Sequence, residues 1–399
     1  MAFHRLTSAI LILAAALTAC TSDPETVELP WIPESQSVGI PVEIDAAALT
    51  ASGESVALGP VDGNGMNVIF ERSPAIFGAS DDRKELSRSA YCGVIPSNVS
   101  ARTFEADAGT GDTVPFAWVD QGGRLALVQG SDSVLAYNYE KQLPAGVDPV
   151  HERSSYIHPI WDLKGTAVTD DFPEDHYHHR GLSWMWPRVF VDGEEYDLWA
   201  LRGIEQVFDE WLMRDAGSGC AVLGVKNHWE MMEDGRNVVD EWVWMRAYPA
   251  DAYGRAIDVR ITLEANEPVE ISGRETDDKG YGGFSLRYAP RDSTVIVSPE
   301  GREEDSDHRR YPWADESGLF RGSPDRSGIA IFQHPGHPDF PAQWTLRHYG
   351  FIGVAWPSLK RVELAPGEPL TLRYRLWVHR GGAGRGRVAE AYEIFRTVN

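Results

Sequence analysis

Ile257-Asp258-Val259-Arg260-Ile261-Thr262-Leu263-Glu264 alternates apolar and polar side chains at every step. Successive strand residues point to opposite faces, so a period of two predicts a strand with one face in a core and the other in water. Leu372, Tyr374, Leu376 and Val378 repeat the pattern against Thr371, Arg373, Arg375 and His379. Asp192-Gly193 separates Arg188-Val189-Phe190-Val191 from the segment Glu194 to Trp199, and Asp234-Gly235 separates Ala221 to Met232 from Asn237 to Tyr248. Both pairs suit the left-handed backbone of a two-residue hairpin turn. Helical spacing occurs near the end, where Val388, Ala391, Tyr392, Phe395 and Val398 recur at steps of three and four. The chain therefore predicts an all-β protein, a large antiparallel β-sandwich with a short C-terminal helix.

Composition narrows the function classes. Of 399 residues, 60 are acidic and 37 basic, a net charge of −23 that argues against a nucleic-acid partner held by a basic surface. Residues 1–20 read as a lipoprotein signal peptide. His4 and Arg5 precede an apolar run from Leu6 to Ala19, shorter than the ~20 residues of a membrane-spanning helix. The run ends in Leu17-Thr18-Ala19-Cys20, which resembles the bacterial lipobox and implies a lipid on Cys20. Thr21 follows, and by resemblance to Gram-negative sorting this implies a lipid-anchored envelope protein of the outer membrane. Membrane contact is then expected through the lipid alone, because no later stretch approaches about 18 apolar residues. Residues 21–41 read as a Pro- and acid-rich tether, 42–130 as an N-terminal β segment, and 131–399 as the sandwich domain. Cys92 and Cys220 either pair, as an oxidising compartment allows, or stay as two buried thiols.

The densest polar constellation is Asp170-Asp171-Phe172-Pro173-Glu174-Asp175-His176-Tyr177-His178-His179-Arg180-Gly181, preceded by Tyr156-Ile157-His158-Pro159. Imidazole titrates near neutral pH and a neighbouring carboxylate fixes its tautomer. His178 or His179 is thus the candidate general acid or base, Asp175 the group that orients it, and Arg180 the holder of a substrate oxygen. His176 and His158 are either ligands of one divalent metal ion or donors to sugar hydroxyls. In an extended segment His176 and His178 point one way and His179 the other, so a shared site for all three needs a turn. Eight of the 14 tryptophans fall between Trp161 and Trp244. Sugars offer an apolar face for such rings and a rim of hydroxyls for charged groups. Tyr156, Trp184, Trp186, Glu241, Lys279 and Arg287, with His158, are the candidate substrate-binding residues, and Glu230, His334 and His337 are weaker ones.

Tyr156-Ile-His-Pro-Ile, Asp171 to Leu182, Lys279-Gly-Tyr-Gly-Gly-Phe, the segment Trp344 to Pro357 and Leu364-Ala-Pro-Gly-Glu together resemble the PmoA-like family, sometimes labelled a methane oxygenase, over about residues 130–395. The methane label does not suit a chain without several apolar spans. The resemblance implies a sandwich similar to galactose mutarotase-like proteins and a place in bacterial polysaccharide degradation. Tyr177 stands where many relatives carry Pro.

These readings converge on a carbohydrate-active enzyme acting on a glycoside or keto-sugar by general acid and base catalysis, through hydrolysis or elimination. The alternatives are a sugar epimerase and a non-catalytic glycan-binding lipoprotein. Hydrolysis calls for two carboxyls across the bond, whereas elimination calls for a base beside an acidified C–H.

Overall fold

Residues 257–264 occupy the centre of the strand Gly254–Ala265, fourth of nine in an antiparallel sheet. The computed structural model describes residues 114–275 and 278–398 and, before them, 25–29, 36–49, 53–61, 67–77, 86, 90–97, 99 and 103–107. In this sheet Ile204–Ala216, Ala221–Met231 and Asn237–Ala247 precede Gly254–Ala265, and Leu370–Arg380, Ser327–Gln333, Trp313–Phe320, Arg291–Ser298 and Gly301–Glu303 follow it. The two alternating stretches are neighbours, with Ile257 opposite Leu376 and Ile261 opposite Leu372. Asp192 and Gly193 take φ of 53° and 85°, as a tight hairpin requires, and Gly235 sits at 73° in the second hairpin.

A second nine-stranded sheet runs Ser306–Arg310, Gln343–Arg347, Phe351–Ala355, Gly283–Arg287, Leu182–Met185, Tyr156–Ile160, Asp132–Asn138, Arg124–Gln129 and Phe116–Asp120. The inner faces of both sheets share one core, in which Ile257, Ile261 and Leu372 meet Leu182, Phe284 and Ile352. A four-stranded sheet of Glu194–Tyr196, Arg188–Val191, Val269–Ser272 and Val362–Leu364 closes one side. The fold is thus the expected all-β sandwich of large antiparallel sheets, and the helix Val388–Val398 stands where its spacing placed it.

Two expectations are corrected by what covers the sandwich. The polar face of Gly254–Ala265 is not wet: Asp258, Arg260 and Thr262 are fully buried. A six-stranded sheet of Glu25–Glu28, Thr103–Asp107, Ser55–Pro60, Val68–Ser73, Ala90–Ile95 and Ile40–Asp45 lies over it together with the helix. Their apolar residues, among them Phe70 and Phe395, pack on Trp244 and Trp377 of the sandwich. The charges underneath are neutralised in pairs. Arg375 donates to both oxygens of Asp258 at 2.5 and 3.0 Å, and Arg246 donates to Glu43 at 2.7 Å. His379 Nε2 lies 2.6 Å from Asp315 Oδ1.

The segment boundaries also move. The expected tether 21–41 contains the paired strand Glu25–Glu28 and the start of Ile40–Asp45, so this stretch is built into a sheet where it is described. The expected N-terminal segment 42–130 divides: its strands up to Thr103–Asp107 form the covering sheet, whereas Phe116–Asp120 and Arg124–Gln129 join the sandwich. Cys92 and Cys220 form a disulfide that ties the covering sheet to the sandwich across 128 residues of sequence. The expected signal peptide 1–20 and its Cys20 lie outside the described residues.

Candidate functional site

The histidine motif is two successive turns rather than an extended segment. His176 N–H donates to Pro173 O at 2.9 Å and His179 N–H donates to His176 O at 2.8 Å. Turning the chain twice in seven residues puts all three rings on one side. The His176 and His179 rings stack at 4.6 Å, and His178 meets them edge-on at 5.6 and 4.8 Å. The turn rests on its buried C-terminal end. Arg180 donates to the carbonyls of Tyr177, His179 and His151, and its guanidinium lies 3.6 Å over the Phe172 ring. Tyr156, fully buried beneath the turn, donates to Asp171 at 2.7 Å. Asp171 is pushed up to about 6 by burial, with the Arg180 charge opposing the shift.

The three imidazoles form one wall of a cavity of about 380 Å3, within the ~300–1,000 Å3 usual for small-molecule sites. Trp199, Tyr281, Tyr349 and Phe351 supply its aromatic lining, and Lys279, Thr345 and Arg347 its polar groups. Among the described residues no Asp or Glu lines it. Arg347 is held outside by Asp307 at 2.7 and 2.8 Å. Thr345 Oγ1 and the Nδ1 atoms of His176 and His179 have no aligned hydrogen-bond partner among the described residues.

Burial and neighbouring charges lower the pKa of two of the three rings, His178 and His179. Burial, with the His176, Arg153 and Arg180 charges, pushes His178 down to about 4. Burial and the two neighbouring histidines hold His179 well below the usual imidazole range. Asp175 sits at the rim. Burial alone would raise its carboxyl, but the His176 and Arg287 contacts hold it below the usual range. Its Oδ2 is 2.9 Å from His176 Nδ1, though the N–H is not aligned on it, and both oxygens accept from Arg287 Nη2 at 2.8 and 3.0 Å. Asp175 therefore contacts His176, whereas the sequence reading had it orienting His178 or His179.

Other candidate residues separate from the cavity. Arg180 spends both Nη groups on backbone carbonyls and lies 3.6 Å from Asp171 through Nε, so it holds the turn and not a ligand. Trp184 and Trp186 are 1% and 0% exposed in the sandwich core, where the alternation of the strand and its exit turn both inward, so neither is a sugar platform. Glu241 is fully buried and accepts from Asn227, Gln206 and Trp229 at 2.8 to 3.0 Å. Burial pushes its carboxyl up, against those donors, and closes it to substrate. His158 pairs with Thr169 Oγ1 at 3.0 Å, does not line the cavity, and is pushed down to about 3 by burial. His337 pairs with Tyr374 OH at 2.8 Å in the core, and Glu230 lies 3.3 Å from His228, away from the site. Lys279 lines the cavity, and Arg287 lines an adjoining recess. A metal held by His176 and His158 does not fit: among the described residues no group of three or more His, Cys, Asp and Glu side chains is arranged to hold one.

The sequence matches, over residues 124–393, a family described as "Family of unknown function (DUF6807)". The chain belongs to this family. The DUF6807 match contains the whole histidine turn and all the lining of the cavity. No curated protein matches the chain. Solved structures similar to this DUF6807 protein include the α-galactosidase from Lactobacillus brevis, at 9% identity and TM-score 0.36, over 68% of this chain and 39% of that one. The galactose mutarotase related enzyme from Lactobacillus acidophilus is 8% identical, with TM-score 0.32, over 66% of this chain and 97% of that one. The galactose 1-epimerase from Lactobacillus acidophilus NCFM is 9% identical, with TM-score 0.32, over 68% of this chain and all of that one. The chain thus spans about two-fifths of the α-galactosidase it matches.

Tyr281, Tyr349 and Phe351 were missed as site residues, although each lies inside a segment quoted for the family resemblance. Trp199 was counted but not singled out. A motif names which segments matter, whereas the side of a strand or loop that faces a cavity depends on pairing partners far along the chain.

Proposed function

We propose that the protein is a carbohydrate-active enzyme of glycan degradation, acting on a glycoside or keto-sugar by proton transfer at carbon, in an elimination or epimerisation. The observation that carries this reading is a cavity wall of three imidazoles beside four aromatic side chains, with no carboxyl lining it among the described residues. Two-carboxyl hydrolysis needs its acids on both sides of the scissile bond, and the lining does not supply them. A protein that only bound glycan would need the rings and not the imidazoles.

His178, neutral at pH 7, stands in the form that accepts a proton. It would take the proton of a C–H beside a sugar carbonyl. His176, in contact with Asp175, would deliver a proton to the departing oxygen in an elimination, and in an epimerisation the carbanion would turn in the cavity and take a proton back on its other face. Trp199, Tyr281 and Tyr349 would pack on the apolar face of the sugar ring, and Lys279 and Thr345 would meet its hydroxyls. Tyr349 stays protonated, since burial pushes its phenol up to about 12.

The test is a panel of keto-glycosides, glycosides and free aldoses incubated with the protein in D2O. Epimerisation is expected to leave deuterium on carbon and elimination to give an unsaturated product that absorbs in the ultraviolet, and His178→Ala is expected to slow either about 10²-fold or more. Cleavage to saturated sugars with no deuterium on carbon, at a rate unchanged by His178→Ala and His176→Ala, would overturn the reading.

We further propose that the mature chain is a lipid-anchored envelope protein held through Cys20, at the outer membrane. The Leu17-Thr18-Ala19-Cys20 run supports this, and the Cys92–Cys220 disulfide suits an oxidising compartment. Cys20→Ser should move the protein from membranes to the soluble fraction, and unchanged fractionation would refute the anchor.

A further inference from the structure

A second cavity, of about 290 Å3, shares Tyr349 with the first. Its wall includes Arg287, Arg291, Arg321 and His348, against the carboxyls of Asp170 and Asp292. The charges of this wall are largely matched, with Asp175 2.8 Å from Arg287 and Asp305 2.7 Å from His348, so what it offers an anionic ligand is unspent guanidinium donors. The arginines are not equivalent. Arg291 is engaged by Glu316 and by the carbonyls of Ala289 and His348. Arg287, only 6% exposed, gives one nitrogen to Asp175, while its Nε and Nη1 have no hydrogen-bond partner among the described residues. Arg321 is exposed at the mouth. Tyr349, 44% exposed, divides the two spaces, with His176 stacked on it at 5.3 Å and the Arg287 guanidinium 4.9 Å from its ring centre.

We propose that the two cavities are neighbouring subsites for an acidic saccharide at least two sugars long. The reacting sugar lies at the histidines, and the anionic group of the next sugar lies against Arg287 and Arg321, with Tyr349 as the platform between them. The inference rests on the reading above and adds the substrate class. A guanidinium fork matches the planar, two-oxygen geometry of a carboxylate, so a uronic acid is the favoured occupant, and a sulfate ester offers related chemistry.

The experiment is calorimetric titration of the full chain with three disaccharides that share the reacting sugar and differ in the second: a uronate, a 6-sulfated hexose and a neutral hexose. The uronate should bind about tenfold or more tightly than the neutral sugar. The difference should shrink with added salt and in Arg321→Gln, an exposed position whose replacement leaves the core intact. Equal binding of uronate and sulfate keeps the anion subsite and widens the class. Neutral binding as tight as either anion, indifferent to Arg321→Gln, overturns the subsite while leaving the histidine chemistry standing if the neutral sugar is still turned over with dependence on His178. No binding or turnover in any arm overturns both readings.

Discussion

Two polar clusters in this molecule are built on opposite plans. Beneath the covering sheet, carboxylates meet basic partners: Arg375 faces Asp258, Arg246 faces Glu43, and His379 lies 2.6 Å from Asp315. At the cavity, three imidazoles face one another, and Asp175 reaches one of them from the rim. The first arrangement matches charge against charge within the protein, although Arg246 Nε, His379 Nδ1 and Asp315 Oδ2 have no hydrogen-bond partner among the described residues. The second leaves nitrogens without aligned partners beside an open space. Density of charged residues therefore does not mark a functional site by itself. What distinguishes the cavity is a set of like groups beside an open space.

The largest effect that would break this contrast is expected under the covering sheet. Asp258→Ala leaves the Arg375 guanidinium buried without its carboxylate and should cost about 3–5 kcal/mol in urea denaturation. Asp258→Leu with Arg375→Met should recover most of that loss, because neither charge is then stranded. If the double variant is as unstable as the single one, the pair specifies more than its own neutralisation.

Removing the disulfide is expected to come next. Cys92→Ala with Cys220→Ala frees the covering sheet from the sandwich and should lower stability by about 2–4 kcal/mol, read by the same denaturation. Saccharide binding under native conditions should survive, since no lining residue of the cavity belongs to the cluster under that sheet. Loss of binding in a variant that remains folded would show the two regions to be coupled.

The smallest effect concerns pH. His178 and His337 both sit at about 4 in the folded chain, below the ordinary 6.5. Between those values the unfolded chain binds protons that the folded chain does not, so stability is complete above about 6.5 and falls as pH drops toward 4. The thermal midpoint should decline over that window, and less steeply in His178→Asn. An identical pH profile in the variant would show that the ring is not held neutral at the cavity.

Much of the architecture was legible because strand patterns are local. The alternation at 257–264, the Asp-Gly hairpins and the C-terminal helical spacing each record a nearest-neighbour geometry. The dryness of Asp258 and Arg260 was not legible, because the sheet that covers them comes from residues almost two hundred positions earlier. The histidine motif was recognised as a site, but its ring positions depended on two turns that the extended reading did not contain. Arg180 and Glu241 were chosen for their chemistry. Burial assigned them to structure instead, and burial is a property of the whole fold.

The covering sheet also bears on how this protein can be handled. A fragment cut to the family's limits, residues 124–393, would lack that sheet and part of the terminal helix. It would carry Cys220 with no mate, leave Arg246 without Glu43 and expose Trp244 and Trp377 to water. Such a fragment would be sticky and prone to precipitate or to form intermolecular disulfides, even with its cavity residues all present. Expression trials that begin upstream of residue 25 should yield soluble protein where trials begun at the family boundary yield inclusion bodies.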